Sequence, residues 1–180
     1  MIFLNISQYL WCIKILRQAY KSKLITKLPA LAVAAQARLE SDFGSREPVD
    51  LYTKKRSYNL FGVKATVKDG VGIAVGNNGW VQDLTQEWNP IAKKKELVLA
   101  NFRAYKSYED SFIDHNRILR VSKDDDGLQR YRNAFEHLDN AEAFIAEVWK
   151  AGYASDPKYL EKIIPIIRQL NKIPIWMLKL

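Results

Sequence analysis

Cysteine is all but missing from this chain. Cys12 stands alone among 180 residues, which excludes an internal disulfide framework. Histidine is scarce as well: His115 and His137 are the only two, and with a single thiol they do not form the Cys/His grouping that a zinc site needs. No metal is therefore expected. No G-x-S-x-G, P-loop or H-E-x-x-H segment occurs, which removes three common catalytic signatures. Nor is there an apolar run of about 20 residues, so stable membrane insertion is not expected. The opening "MIFLNISQYLWCIKIL" is apolar but broken by Asn5, Gln8 and Lys14. It has no basic leader and no small-residue cleavage site, so it reads as an amphipathic helix packed on the domain and not as a signal peptide.

What is present is an ordinary globular composition, 48% hydrophobic and 27% charged, long enough to bury a core as one domain over residues 1–180. Twenty-eight basic against 20 acidic residues give a formal charge of +8, which favours a polyanionic partner. The basic residues are spread out, with short runs only at Lys54-Lys55-Arg56 and Lys93-Lys94-Lys95. A solvated surface explains such runs better than a nucleic-acid groove, which would interleave them with aromatics; no nucleic-acid partner is expected.

The pattern predicts an α+β fold, mostly helical, with a small antiparallel β lobe. Helices are expected over about Ser7–Tyr20, within an N-terminal unit of residues 1–27, and over Pro29–Phe43. Pro29 suits the first turn of the second helix and Gly44 its end. Leu28, Leu31, Ala32, Ala35 and Leu39 recur at helical spacing and mark a core face. Residues 63–105 change character: "VKATV", "GIAV" and "WVQDLTQEW" are strand-like and are separated by the turn signals "KDG" and "GNNG". "LVLANFRAY" is expected to lead back toward helix. Residues 107–180 are helical, opening at the cap Ser107 and continuing in helices near 128–138, 140–150 and 157–170. "KDDDG" lacks the ligand spacing of a calcium loop and reads as a solvated turn. Pro165 should kink or split the last helix. The apolar tail "NKIPIWMLKL" either packs back or marks a partner surface.

One carboxylate is oddly placed. In "QARLESDFGSRE", Glu40 falls in the last turn of a helix of Ala and Leu, where the helix dipole disfavours a negative charge. Apolar neighbours would raise its pKa further, keeping a proton ready as a general acid needs. The plain alternative is an exposed acid paired with Arg38 or Arg46. A glycosidase usually has a second carboxylate. In "WVQDLTQEW" alternation puts Trp80, Gln82, Leu84, Gln86 and Trp88 on one face, and Val81, Asp83, Thr85 and Glu87 on the other. Cys12 has no supporting context beside either histidine and reads as a buried structural thiol.

Four blocks, in order, resemble the glucosaminidase domains of glycoside hydrolase family 73, a group of flagellar FlgJ-type peptidoglycan hydrolases, autolysins and phage lysins. "AAQARLESDFG" is similar to the family's "AQAxLESGWG", and "YNLFGVKA" to its "NNLFGIKA". "TQEW" with "FRAYKSYEDSFIDHNRIL" resembles "TxEY…FRxYxSxxxSxxDHxxLL", and "AGYASDPKYLEKI" resembles "AGYATDPxYAxKL". The match covers roughly residues 28–170. It implies a lysozyme-like fold with a cleft between helical body and β lobe, and cleavage of the β-1,4 bond after N-acetylglucosamine in peptidoglycan, without a cofactor. It implies Glu40 as general acid, Glu87 as second carboxylate and Tyr153 at the catalytic subsite. Asn59 and Phe61 fall in the cleft-shaping block; Trp80 and Trp88 are candidates for sugar stacking or packing. The chain departs from the pattern at Asp42 and Phe43, where Gly and Trp are usual, and carries one Asn where "NNLFG" has two. Glu87 could activate water, or the substrate's own acetamido group could be the nucleophile.

The resemblance implies an endo-acting enzyme whose partner is the peptidoglycan glycan strand, and a monomer is expected. The expected setting is a phage or prophage endolysin, made in the cytoplasm and reaching the wall by holin release, virion carriage or dedicated export. A muramidase or lytic transglycosylase is the nearer rival, although "NLFGVKA" stands where transglycosylases carry a "GLMQ"-like block. A non-catalytic wall-binding or assembly module of the same fold is the more distant one.

Overall fold

One helix occupies the middle of the molecule. The computed structural model describes residues 4–179. In it α2, Ala30–Ser41, is buried on nearly every side: Ala30, Ala32, Val33, Ala34, Ala35, Gln36, Ala37 and Arg38 are all inside. A helix wrapped all round needs small side chains to let its neighbours approach, which is why this segment is alanine-rich. The core face expected at Leu28, Ala32 and Ala35 is there, but burial extends around the helix, with Leu31 and Leu39 only half-buried.

Against α2 pack α1 (Ile6–Thr26), α4 (Ala141–Lys150) and α5 (Tyr159–Leu170), while α3 (Tyr108–Val121) packs on α1. Helix α1 runs longer than the expected Ser7–Tyr20; Met1–Phe3 lie outside the described residues. Asn5 caps it reciprocally with Gln8, the Gln8 N–H reaching Asn5 Oδ1 at 2.8 Å and the Asn5 N–H reaching Gln8 Oε1 at 3.1 Å. Pro29 precedes α2 as its cap and is not in its first turn. Ser107 caps α3, accepting the Asp110 N–H, and Asn140 caps α4.

The lobe consists of two hairpins: β1 (Thr66–Lys68) with β2 (Val71–Ala74), and β3 (Trp80–Asn89) with β4 (Lys94–Arg103). Strands β3 and β4 pair from Trp80↔Arg103 to Asn89↔Lys94, so "LVLANFR" is strand and not an approach to helix. Its alternating branched residues pair across the ribbon, and that outweighs its helical look. Residues 63–65 lie along β4, with Arg103 N–H to Val63 O at 3.0 Å and Ala65 N–H to Asn101 O at 2.9 Å. Gly76 meets the Ala104 carbonyl so closely that a Cβ would lie 1.9 Å from its oxygen; only glycine lets the two hairpins join there.

The helix expected over 128–138 is a short 3-10 helix, Arg132–His137. Asp124 explains the loss: its carboxylate accepts the Leu128 N–H and pairs with Arg132, holding residues 124–128 in a closed loop. Pro165 neither splits α5 nor ends it; the helix continues to Leu170. The tail packs back in part. Ile173 and Leu178 are buried, and Tyr9 Oη donates to Met177 Sδ at 3.4 Å, while Ile175 and Trp176 are exposed. No helix among the described residues is long and apolar enough to cross a membrane.

Candidate active site

Helix α2 leaves the core at its C-terminal end, and Glu40 is its penultimate residue. The exit is sharply turned. Asp42, Phe43 and Gly44 all have left-handed backbone, at φ 46°, 56° and 82°. Gly44 is needed there, because a Cβ would lie 3.0 Å from the Trp11 indole nitrogen. Ser41 Oγ donates to the Ala37 carbonyl at 2.6 Å and accepts the Gly44 N–H at 3.0 Å, fixing the turn.

Glu40 stands where two cavities meet. An inner one of about 330 Å³ is walled by Glu40, Phe61, Val63, His115, Ile118, Leu119, Tyr131 and Tyr153. An outer cleft of about 740 Å³ runs from Glu40 past Arg46, Glu47 and Pro48 to Asp83, Thr85 and Phe102 of the lobe. Glu40 is open to solvent through the cleft, yet protein crowds its carboxyl on the other sides. That desolvation raises its pKa, and the Arg46 charge opposes the rise. The plain alternative of an ion-paired surface acid does not hold: Arg46 pairs with Asp42 at 3.7 Å and Arg38 bonds Gln169.

Beside Glu40 lies an aromatic group. Tyr153 is held through its hydroxyl, 3.2 Å from His115 Nε2. His115 is buried and stacked on Phe61, with ring centroids 3.9 Å apart. Burial pushes its pKa down to about 4, so it is neutral at ordinary pH. Asn116 gives its amide N–H to Thr26 Oγ1 at 2.9 Å, which turns its carbonyl oxygen toward His115 Nδ1 at 3.4 Å. The network thus assigns the proton to Nδ1 and makes Nε2 the acceptor of the Tyr153 hydroxyl. Tyr153 keeps its lone pairs for the cavity. Its pKa is raised well above the ordinary phenol value by burial first and the Glu40 charge second.

Glu87 lies further out on β3, bonded to Lys64 Nζ at 2.7 Å. It shares a strand face with Asp83 and Thr85, which wall the outer cleft. The structure does not bring it into hydrogen-bond contact with Glu40. Asp83 is occupied: it accepts the Val49 N–H at 2.9 Å and the Leu84 N–H at 2.8 Å, tying the lobe to the segment after α2.

Asn59 is not a free binding group. It is 1% exposed, its amide donates to the Val63 and Arg103 carbonyls at 2.9 and 3.0 Å, and its oxygen faces the Phe61 and Val63 N–H groups. It shapes the turn that presents Phe61. Phe61 is both core and cavity wall. Trp80 and Trp88 line neither cavity. Trp80 packs near Gly72 of the other hairpin, and Trp88 is 61% exposed toward the ribbon's end.

Two residues of the "DHN" run were missed. Asp114 accepts from Arg103 at 2.7 Å, Tyr105 at 2.8 Å and Arg117 at 2.7 Å, clamping α3 to the base of β4. His115, the next residue around the helix, points inward to Tyr153. The signal was visible as an adjacent acid and imidazole on one helix, but pattern alone did not give them roles. Among the described residues no group of three or more His, Cys, Asp or Glu is placed to hold a metal.

A carboxylic acid whose pKa is raised by burial, at the boundary between an aromatic recess and an open cleft, is suited to hand a proton to an oxygen lying across that boundary. Known proteins carry the same arrangement of elements. Residues 16–172 match the Glucosaminidase family model, described as mannosyl-glycoprotein endo-beta-N-acetylglucosaminidase. The peptidoglycan hydrolase FlgJ of Pseudomonas aeruginosa is 35% identical over 140 residues, 77% of this chain and 31% of that protein. The exo-glucosaminidase LytG of Bacillus subtilis is 31% identical over 145 residues, 80% of this chain and 44% of LytG. The chain thus spans less than half the length of these relatives. The catalytic domain of the autolysin Auto from Listeria monocytogenes superposes with a TM-score of 0.72 at 26% identity, over 95% of this chain and 88% of the other.

Proposed function

This chain belongs to the glucosaminidase family, and we propose that it cleaves the β-1,4 bond after N-acetylglucosamine in peptidoglycan, acting within glycan strands. One observation carries the reading: Glu40, at the end of a buried helix, has a raised pKa and stands at the junction of the cleft and the Tyr153 recess. Glu40 donates its proton to the leaving sugar oxygen as the glycosidic bond breaks. The lone pairs of Tyr153, whose own proton is given to His115, face the positive charge developing on the sugar ring or the acetamido group beside it. Glu87 is the second carboxylate, brought in by bending of the ribbon. While it stays paired with Lys64, attack by the substrate's acetamido oxygen is the more direct route.

The formal charge of +8 suits an enzyme working on an anionic wall, as a phage or prophage endolysin does. The test is mass spectrometry of fragments released from purified peptidoglycan and reduced with borohydride, comparing the natural protein with Glu40→Gln. Reduced N-acetylglucosamine ends from the natural protein alone support the proposal. Reduced or anhydro-muramic ends move the activity to the muramidase or transglycosylase type, and absence of release leaves a binding module.

A further inference from the structure

The C-terminal turn of helix α2 has a second face, turned away from the cleft. Positions two apart on an α-helix point about 200° from each other around the axis, so Arg38 and Glu40 leave α2 on opposite sides. Arg38 faces a cavity of about 610 Å³ between α2 and α5, walled also by Leu39, Pro165, Ile166 and Lys172, with Glu161 as the acid.

Arg38 is 6% exposed and has no carboxylate within ion-pair reach among the described residues; Asp42, its neighbour in sequence, pairs with Arg46. Of its five N–H groups one is used, by Gln169 Oε1 at 2.5 Å. The Phe43 ring, 4.6 Å from the guanidinium carbon, stabilises the cation without neutralising it. Burial accordingly lowers the Arg38 pKa. A buried cation is normally paired, and one left unpaired beside an open cavity is a receptor for an anion.

The surroundings narrow the anion. Arg168 is already engaged by Glu142 and Lys162 by Asp156, which leaves Arg38 and Lys172 as the cations of this cavity without an acidic partner among the described residues. Leu39, Pro165 and Ile166 supply apolar wall, and Glu161 would repel a dianion but accept N–H donors. We propose that this cavity binds the free terminal carboxylate of a short peptide with small side chains. Arg38 takes the carboxylate, Lys172 adds a second donor, and Glu161 meets the peptide N–H groups. The choice of a peptide rests on the wall-directed function proposed above, since wall stem peptides end in such carboxyls. On the far side of α2 from the cleft, the site would grip a peptide of a neighbouring strand.

The test is an amide-resonance titration of the intact protein with acetyl-D-alanyl-D-alanine, its C-terminal amide and inorganic phosphate. It is run on the natural protein and on Glu40→Gln. The free acid should shift Leu39, Ile166 and Lys172 saturably in both proteins, with the amide binding at least about tenfold more weakly. Lys172→Glu, on the surface, should weaken the acid severalfold, and Arg38→Met should abolish its binding. Should Arg38→Met fail to fold, Lys172→Glu and the amide still decide. Equal binding of acid and amide, phosphate binding as tightly as the dipeptide, shifts confined to the cleft, or no saturable shift would each overturn the proposal. None of these readings depends on turnover, so loss of the proposed glycosidase activity and loss of this site are distinguishable.

Discussion

The hydroxyl of Tyr153 lies 3.2 Å from Nε2 of a neutral, buried His115, and that contact ties the histidine to the recess beside Glu40. His115 is therefore a positioning residue in the proposed reaction, fixing both the tilt of the Tyr153 ring and the side on which its lone pairs lie.

A double-mutant cycle tests this. His115→Asn and Tyr153→Phe should each lower kcat about tenfold or more with little change in KM. The double variant should be no slower than Tyr153→Phe alone, because the histidine acts only through the hydroxyl. Additive losses would show that His115 has a separate role.

Stability should respond to pH through two groups of opposite sign. His115 has a folded pKa near 4 against an unfolded value of 6.5, so its contribution is present above 6.5 and fades as pH falls toward 4, by about 3 kcal/mol. Glu40 has a raised folded pKa, so its contribution is full below 4.5 and is lost as pH rises through the folded value. Chemical denaturation between pH 4 and 8 should show a flatter acid side in His115→Gln. Glu40→Gln should gain relative stability at the alkaline side, and unchanged profiles in both would refute these assignments.

Asp42 holds a left-handed conformation, φ 46°, that glycine adopts without strain. Its compensation is an exposed ion pair with Arg46 at 3.7 Å, of small worth. Asp42→Gly should thus raise stability by about 0.5–1 kcal/mol, read as a Tm increase of about 1–4 °C. A fall in Tm would mean the ion pair matters more than the backbone.

Lys64 and Glu87 make an exposed pair at 2.7 Å across the lobe. Lys64→Met should change stability by less than about 1 kcal/mol. It should leave peptidoglycan release at or above the natural rate, whereas Glu87→Gln should reduce it. Equal losses in both would mean that the ion pair, and not the free carboxylate, is what the reaction needs.

Much of this was legible in the chain. The cap at Ser107, the alternation in β3 and the alanine-rich run of α2 are local signals, and each produced the element it promised. The unusual place of Glu40 was legible too, because a helix end is a local fact. What escaped depends on partners distant in sequence. Asn59 looked like a cleft residue until its amide was found spent on Val63 and Arg103. His115 looked inert because Tyr153 is far along the chain, and Arg132–His137 lost its α-helix to a side chain at Asp124. The strand pattern separated the two faces of β3 but could not say that Trp80 and Trp88 themselves stand clear of the cleft, which Leu84 and Gln86 of the same face help to line.

The all-round burial of α2 has a consequence for how the two carboxylates can vary. Glu40 hangs from a helix buried on nearly every side, so the amides of that helix should be among the slowest in the chain to exchange with solvent. Glu87 hangs from a ribbon whose outer half has scarcely any buried neighbours, and that ribbon can fray at small cost. One acid is thus held firmly in place, while the other can be retuned in reach, timing and chemistry by substitutions that leave the remainder of the protein undisturbed.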